Sequence, residues 1–368
     1  MKGADVLWLS RQDIGSLFAA LSSAGYRCIG PQVRDGTIVY DTLENADGLP
    51  RGVTSTQAPG EYRVTIGNSP RTFSWANGPQ ALKPFTFSPR ETLWRAERGD
   101  DAAIRFIETA TEPELLAVIA VRACDLAALA LQDQHFLDGQ YPDPHYAARR
   151  RSLFVVAVHC SAPAATCFCA STGDGPRAQL GFDLALSELD EGFLVEAGSA
   201  RGVTVLKQLP TRPASTAERD LAAHELKQAA AQQRRLPGKN LRDALFANLE
   251  HPRWEQVAGR CLACGNCTAV CPSCFCHAEV EVPRLDAAAS EHVREWDSCF
   301  TQLHSYIHGL TVRSDRRARY RQWVTHKLGS WHDQYGRSGC VGCGRCITWC
   351  PVGIDITEEA AAICGESA

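Results

Sequence analysis

The sequence lacks a long uninterrupted apolar run. Its most apolar stretch, residues 115–131, contains Arg122 and Asp125, whereas a transmembrane helix needs roughly 20 consecutive, mostly apolar residues. The first residues, MKGADVLWLSRQD, place charges on both sides of a short apolar patch and do not follow the pattern of a signal peptide. We therefore expect a soluble, cytoplasmic chain.

Charge of one sign is also missing. The 38 basic and 42 acidic residues leave a net charge of −4, which gives no case for nucleic-acid binding or for a basic membrane-binding surface. There is no Gly-x-Gly-x-x-Gly after a strand, no Gly-x4-Gly-Lys-Ser/Thr, and no recognisable nickel, haem or flavin site. The sequence therefore predicts no substrate site of its own.

Cysteine, in contrast, is abundant. The chain has 17 cysteines, and the cytosol keeps thiols reduced, so disulfides are not the expected use. Cysteines in such a chain more often bind metals.

Eight of these cysteines form two copies of the motif Cys-x2-Cys-x2-Cys-x3-Cys-Pro. Motif 1 is Cys261, Cys264, Cys267 and Cys271; motif 2 is Cys340, Cys343, Cys346 and Cys350. This is the spacing of bacterial ferredoxins, in which the fourth cysteine ligates the other cluster. We therefore predict one 4Fe–4S cluster on Cys261, Cys264, Cys267 and Cys350, and another on Cys340, Cys343, Cys346 and Cys271. The alternative, two zinc sites, does not require an evenly spaced triplet followed by Cys-Pro.

Seven further cysteines fall into two groups. Cys124, Cys160, Cys167 and Cys169 suffice for a third 4Fe–4S cluster, in which Asp125 can replace one thiolate; buried thiols are the alternative. For Cys274, Cys276 and Cys299 we favour buried structural thiols over an atypical cluster. Cys28 and Cys364 stand alone and receive no role.

The fold class expected is α+β. We predict a mixed α/β domain over residues 1–238, with the possible third cluster, and a helical ferredoxin-like domain over 239–368 that carries two clusters. Short apolar runs at 115–121 and 153–158 predict buried strands, and hairpins are predicted around Asp35-Gly36 and Asp190-Glu191-Gly192. We predict a helix within the region 211–240 that ends at Leu236-Pro237-Gly238. Two further helices are predicted near 291–296 and 314–328. The last of these regions is rich in arginine, which either offsets cluster charge, docks a partner or is a solvated helix face.

Six segments together resemble a known family. They are Val121-Arg-Ala-Cys-Asp-Leu, Thr166-Cys-Phe-Cys, Cys264-Gly-Asn-Cys-Thr, Cys271-Pro-Ser-Cys-Phe-Cys, Trp296-Asp-Ser-Cys and Gly339-Cys-Val-Gly-Cys-Gly-Arg-Cys-Ile. The chain is similar, over roughly residues 115–356, to the 4Fe–4S dicluster family. That family includes the beta subunits of sulfhydrogenases, which are NAD(P)-linked NiFe hydrogenases, and the electron-transfer subunits of anaerobic sulfite reductases.

The resemblance implies a role in electron transfer. In that family the protein lies beside a flavin subunit with its own 2Fe–2S centre, so this chain is expected to relay electrons between NAD(P)H at the flavin and NiFe hydrogenase subunits. A relay to a sirohaem sulfite reductase subunit is the second possibility. An iron–sulfur sensor or scaffold is the third, although two interlocked sites favour conduction.

Overall fold

The computed structural model describes residues 6–99, 101, 103–109, 113–238, 240–286 and 288–365. The strands within these ranges are β1 (Leu7–Ser10), β2 (Arg27–Arg34), β3 (Thr37–Thr42), β4 (Val53–Ala58), β5 (Glu61–Ile66), β6 (Arg90–Arg98), β7 (Ile104–Glu108), β8 (Leu116–Val121), β9 (Leu153–Val158), β10 (Leu184–Leu189), β11 (Gly192–Ala197), β12 (Arg212–Pro213), β13 (His277–Pro283), β14 (Ala289–Trp296), β15 (Tyr306–Ile307) and β16 (Leu310–Thr311). The α-helices are α1 (Ile14–Ser23), α2 (Lys83–Thr86), α3 (Ala123–Leu137), α4 (Pro144–Ser152), α5 (Cys169–Thr172), α6 (Ala200–Leu206), α7 (Thr216–Ala229), α8 (Leu241–Ala247), α9 (Arg253–Arg260), α10 (Asn266–Ala269), α11 (Arg316–Thr325), α12 (Trp331–Tyr335), α13 (Arg345–Thr348) and α14 (Ile356–Cys364).

The N-terminal part is built on a mixed sheet with strand order β12-β1-β11-β10-β9-β8-β2-β3. Its centre is parallel: β2 pairs with β8, β8 with β9, and β9 with β10. The sequences of β8 and β9, LAVIAV and LFVVAV, are apolar throughout because both faces of these strands are buried. Val156 packs on the side of α1, and Val155 packs on the side of α3. The predicted strands are therefore confirmed.

Both predicted hairpins are also present. β2 and β3 pair antiparallel through Asp35 and Gly36, whose φ angles are 49° and 68°. Positive φ at both central residues is the geometry of a tight hairpin turn, which explains the Asp-Gly pair. β10 and β11 pair antiparallel across Asp190 and Glu191.

The C-terminal part surrounds the two cysteine motifs with helices α8, α9, α11 and α14. Their apolar faces form one core, to which Leu245, Trp254, Trp323 and Ile356 contribute. The helix predicted over 314–328 is present as α11 followed by a π-helical turn at His326–Ser330.

Two predictions about local structure are wrong. Residues 291–296 are not helical: they belong to β14, which pairs with β13 and, across the sequence, with β6. Trp94 on β6 stacks on His292 at 4.6 Å between ring centroids, so packing between distant strands decides the local structure here. The helix predicted to end near Pro237 is α7, which ends at Ala229. Within the described residues, no helix has both the length and the apolar character needed to cross a bilayer.

Candidate iron–sulfur centres

The two motif loops have the same backbone conformation. In motif 1, Ala263 and Gly265 have φ angles of 53° and 79°; at the equivalent positions of motif 2, Gly342 and Gly344 have 63° and 74°. Each loop then enters a short helix, α10 or α13, that contains the third cysteine of its motif. The left-handed residues curl each loop, and in motif 1 the first three thiols line one cavity. In motif 1 the Ala263 amide also donates to the Cys261 sulfur over 3.4 Å.

The first set of thiols combines both motifs. One cavity with an empty volume of about 410 Å³ is lined by Cys261, Cys264, Cys267 and Cys350, together with Cys346 of motif 2. Phe300, Tyr320, Trp323 and Ile354 cover part of it. Four of these five cysteines are the set that the sequence predicts for one cluster.

The second set is crossed in the opposite sense. Cys271 of motif 1 lies close enough to Cys340, Cys343 and Cys346 for their charges to interact. Cys346 also lies near Cys267 of the first set, so the two sets are neighbours. Cys271 is thus a neighbour of the three motif-2 thiols with which the sequence groups it.

Burial keeps most of these thiols protonated unless a cation is present. Burial raises the pKa of Cys340 to about 12 and that of Cys343 to about 11, and it raises the pKa values of Cys267 and Cys346 well above the usual range. A buried thiolate needs a positive partner, and iron supplies one while displacing the proton. The donor set therefore fits the soft, thiolate-bound iron of a cubane cluster.

A buried lysine accompanies the second set. The Lys327 ammonium donates to the Ser273 hydroxyl at 3.0 Å, and only 4% of the residue is exposed. Burial alone would lower its pKa, but the neighbouring thiols of Cys271, Cys274 and Cys340 raise it above the usual value. Lys327 therefore provides a permanent positive charge beside an anionic centre.

The arginine-rich helix α11 is used mainly inside the chain. Arg316 donates to the Cys261 carbonyl at 3.0 Å, and the buried Arg319 donates to the Phe300 carbonyl at 3.0 Å. Arg317 and Arg321 both pair with Glu250. The arginines closest to the first set thus hold its loop and its cover in place.

Four cysteines of the N-terminal part also meet in one cavity. Its lining includes Cys124, Cys160, Cys167 and Cys169, together with Cys343 of motif 2. Asp125, the predicted substitute ligand, has both carboxylate oxygens engaged: they accept from Arg345 at 2.7 and 2.9 Å.

The remaining thiols lie in smaller contacts. Cys274 lies beside Cys271, while Cys276 accepts hydrogen bonds from Cys299 and His304, which lower its pKa to about 4. Cys28 and Cys364 are buried in the N-terminal and C-terminal cores. Among the residues that the structure describes, no group of three or more His, Cys, Asp or Glu side chains is arranged to hold a single metal ion.

Comparison with known proteins agrees with this geometry. Residues 260–354 match the family described as a 4Fe-4S dicluster domain. The chain is 32% identical over 346 residues to "Sulfhydrogenase 2 subunit beta" of Pyrococcus furiosus, a match that covers 92% of each chain. The chain belongs to the sulfhydrogenase beta-subunit family. No solved structure matches it.

Membership of the sulfhydrogenase beta-subunit family makes this chain an iron–sulfur electron-transfer protein with a ferredoxin-like 4Fe–4S dicluster domain. Sequence reasoning had missed the buried cations around its thiols, Lys327, Arg122 and Arg345. A signal for Arg122 was present, because Arg122 and Asp125 interrupt the most apolar stretch of the sequence. A charge within a buried run indicates either a partner or a functional site.

Proposed function

We propose that this chain relays electrons between a flavin subunit that reacts with NAD(P)H and the catalytic subunit of a NiFe hydrogenase complex. The observation that carries the proposal is the gathering of eight motif thiols into two adjoining sets, each drawn from both motifs. We assign Cys261, Cys264, Cys267 and Cys350 to the first cluster, and Cys340, Cys343, Cys346 and Cys271 to the second. When bound, 4Fe–4S clusters supply electron transfer at potentials set by their surroundings.

The chain's own residues give the two sites different environments. The first site reaches the surface: Cys264 is exposed, and the adjoining Leu262 is 59% exposed. The second site lies deeper, beside the buried ammonium of Lys327. The Phe168 amide of the N-terminal part donates to the Gly342 carbonyl in its motif-2 loop. An outer site is accessible to a redox partner, while burial and the nearby positive charge tune the inner one.

The hydrogenase complex is favoured over the sulfite reductase by the relative's name, which is that of a sulfhydrogenase subunit. Conduction is favoured over sensing because Cys346 of one set lies near Cys267 of the other, which places two centres side by side. A sensor has no need for a second, buried centre.

The crossed assignment is tested by four cysteine-to-alanine variants of the anaerobically purified chain. Cys264→Ala and Cys350→Ala lie in different motifs but should abolish the same electron paramagnetic resonance signal. Cys271→Ala and Cys340→Ala should both abolish the other signal. Each variant should lose about four irons, as one cubane requires. Cys28→Ala, which removes a buried thiol in the N-terminal core, should keep every signal.

The pairing pattern decides the result. If Cys350→Ala and Cys340→Ala abolished the same signal, the ligands would not cross and the assignment would be wrong. Bound zinc in place of iron and sulfide would overturn the proposal altogether.

The partners are tested by reconstitution with flavin and NiFe subunits. NAD(P)H-driven hydrogen formation should require this chain, and Cys264→Ala should abolish it while the NiFe subunits still form hydrogen from a reduced dye. If the electrons passed instead to a sirohaem protein, the chain would belong to a sulfite reductase complex.

A further inference from the structure

The N-terminal cysteines lie at the edge of the sheet where ligand sites commonly form. β8 and β9 are parallel neighbours, so their carboxyl ends share an edge. Cys124 follows the end of β8 in the first turn of α3, and Cys160 follows the end of β9. In open α/β sheets, ligands bind outside the carboxyl ends of the strands.

The backbone at the end of β8 is distorted where it reaches this edge of the sheet. Ala120 has a φ of 66°, and the register with β9 shifts between Ile119 and Val121. A non-glycine residue in the left-handed region is uncommon, and such bulges redirect the chain next to functional sites. The Tyr40 hydroxyl holds the distortion by donating to the Ala120 carbonyl at 2.8 Å.

The cavity at this edge has the size of the one at motif 1. Its empty volume is about 400 Å³, compared with about 410 Å³ at the first set. Each cavity is lined by five thiols from separate segments of the chain, and in each case one of the five, Cys346 or Cys343, belongs to the second set.

The lining also holds buried polar atoms that have no partner among the described residues. Arg122 is 3% exposed; its Nη2 donates to the Phe73 and Trp75 carbonyls, yet its Nε and Nη1 donate to nothing. The Nε of Arg345, which is 2% exposed, is likewise unpaired. Buried guanidinium N–H groups are costly unless they are satisfied. An anionic cluster with acceptor sulfurs would satisfy them.

This cavity adjoins the second set directly. The Phe168 amide donates to the Gly342 carbonyl at 2.8 Å, and Cys167 contacts the Cys343 carbonyl at 3.7 Å. Cys343 itself lines the cavity. The motif-2 loop therefore forms the wall between the two sites.

We propose that Cys124, Cys160, Cys167 and Cys169 bind a third 4Fe–4S cluster, next to the second and outside the dicluster domain. The proposal rests on the proposed relay and extends it into the N-terminal sheet. Four thiols release their protons as they bind the cluster, and Arg122 and Arg345 balance part of the negative charge. Cys343 stays a ligand of the second cluster, where it lies with Cys271 and Cys340.

Iron and acid-labile sulfide counting of the chain, reconstituted without oxygen, tests this assignment. Wild type should hold about twelve irons, and Cys124→Ala and Cys160→Ala about eight each, since a cubane holds four. Both variants should keep the resonance signals that depend on Cys264 and Cys340, which shows that the dicluster domain is still folded. The matched control Cys28→Ala should hold about twelve.

The outcomes separate this inference from the proposed function. About eight irons in wild type, unchanged in Cys124→Ala and Cys160→Ala, would overturn the third cluster and leave the dicluster relay standing. About twelve irons in both variants would overturn these ligands. Fewer than about eight irons in wild type would overturn the dicluster assignment and, with it, this extension.

Discussion

The two cysteine motifs fold into the same loop but meet different neighbours. Ala263 in motif 1 adopts a left-handed conformation beside the exposed Cys264. Its counterpart in motif 2 is Gly342, where an added Cβ would lie 2.5 Å from the Cys169 amide nitrogen. An alanine is therefore accommodated at the outer loop and excluded at the inner one. The residue type at this position, alanine in one motif and glycine in the other, therefore indicates which motif loop is covered by the N-terminal part of the chain.

The ion pairs near the two motifs differ in burial in the same way. Near motif 1, Arg317 pairs with an exposed Glu250. In motif 2, Arg345 and Asp125 form an ion pair in which both side chains are at most 2% exposed. Asp125 lies on α3 and Arg345 on α13, so this pair joins the N-terminal and C-terminal parts.

The largest effect is expected from breaking that buried pair. Asp125→Ala leaves the Arg345 guanidinium buried without its carboxylate, which should lower the free energy of unfolding by about 3–5 kcal/mol. Anaerobic urea unfolding measures the change. The double variant Asp125→Ala/Arg345→Met should recover part of the loss, because it removes the unpaired charge. A single variant as stable as wild type would show that the pair does not hold the two parts together.

A smaller effect is expected from filling the contact at Gly342. Gly342→Ala and the control Gly36→Ala share a left-handed backbone, but an added Cβ at Gly36 meets nothing within 4 Å. Overpacking should therefore make Gly342→Ala about 1–3 kcal/mol more destabilising than the control. Equal losses of unfolding free energy in the two variants would mean that residues 166–169 are not in tight contact with the motif-2 loop.

The smallest effect is expected at the outer motif. Glu250→Gln removes the partner of Arg317 and Arg321 at the surface, where solvent screens the ion pairs. We expect no measurable change in melting temperature at physiological salt. A clear drop would show that this outer arginine group contributes to stability as the buried pair does.

The conformation of each motif loop could be predicted because it is local. The spacing of Cys261, Cys264 and Cys267 specifies one loop, and the following proline specifies where the chain turns away. The turn at Asp35-Gly36 was equally predictable, since its φ angles suit those residue types. In each case neighbours in sequence carry the information.

What could not be predicted depends on contacts between distant residues. The segment 291–296 became a strand because β6, about 200 residues earlier, offers it an edge. The cavity around Cys124 and Cys160 needs the parallel pairing of β8 with β9, which spacing alone does not encode. Arg345 pairs with a residue 220 positions away, so its sequence neighbours give no indication of a buried carboxylate.

The pairing of β6 with β14 also constrains how the chain is made. During synthesis the N-terminal part leaves the ribosome before residues 289–296, which pair with one edge of β6. Those residues lie between the two cysteine motifs, so the sheet can be completed only after Cys271 has emerged. Separate expression of residues 1–238 would leave an open strand edge, the kind of surface that aggregates.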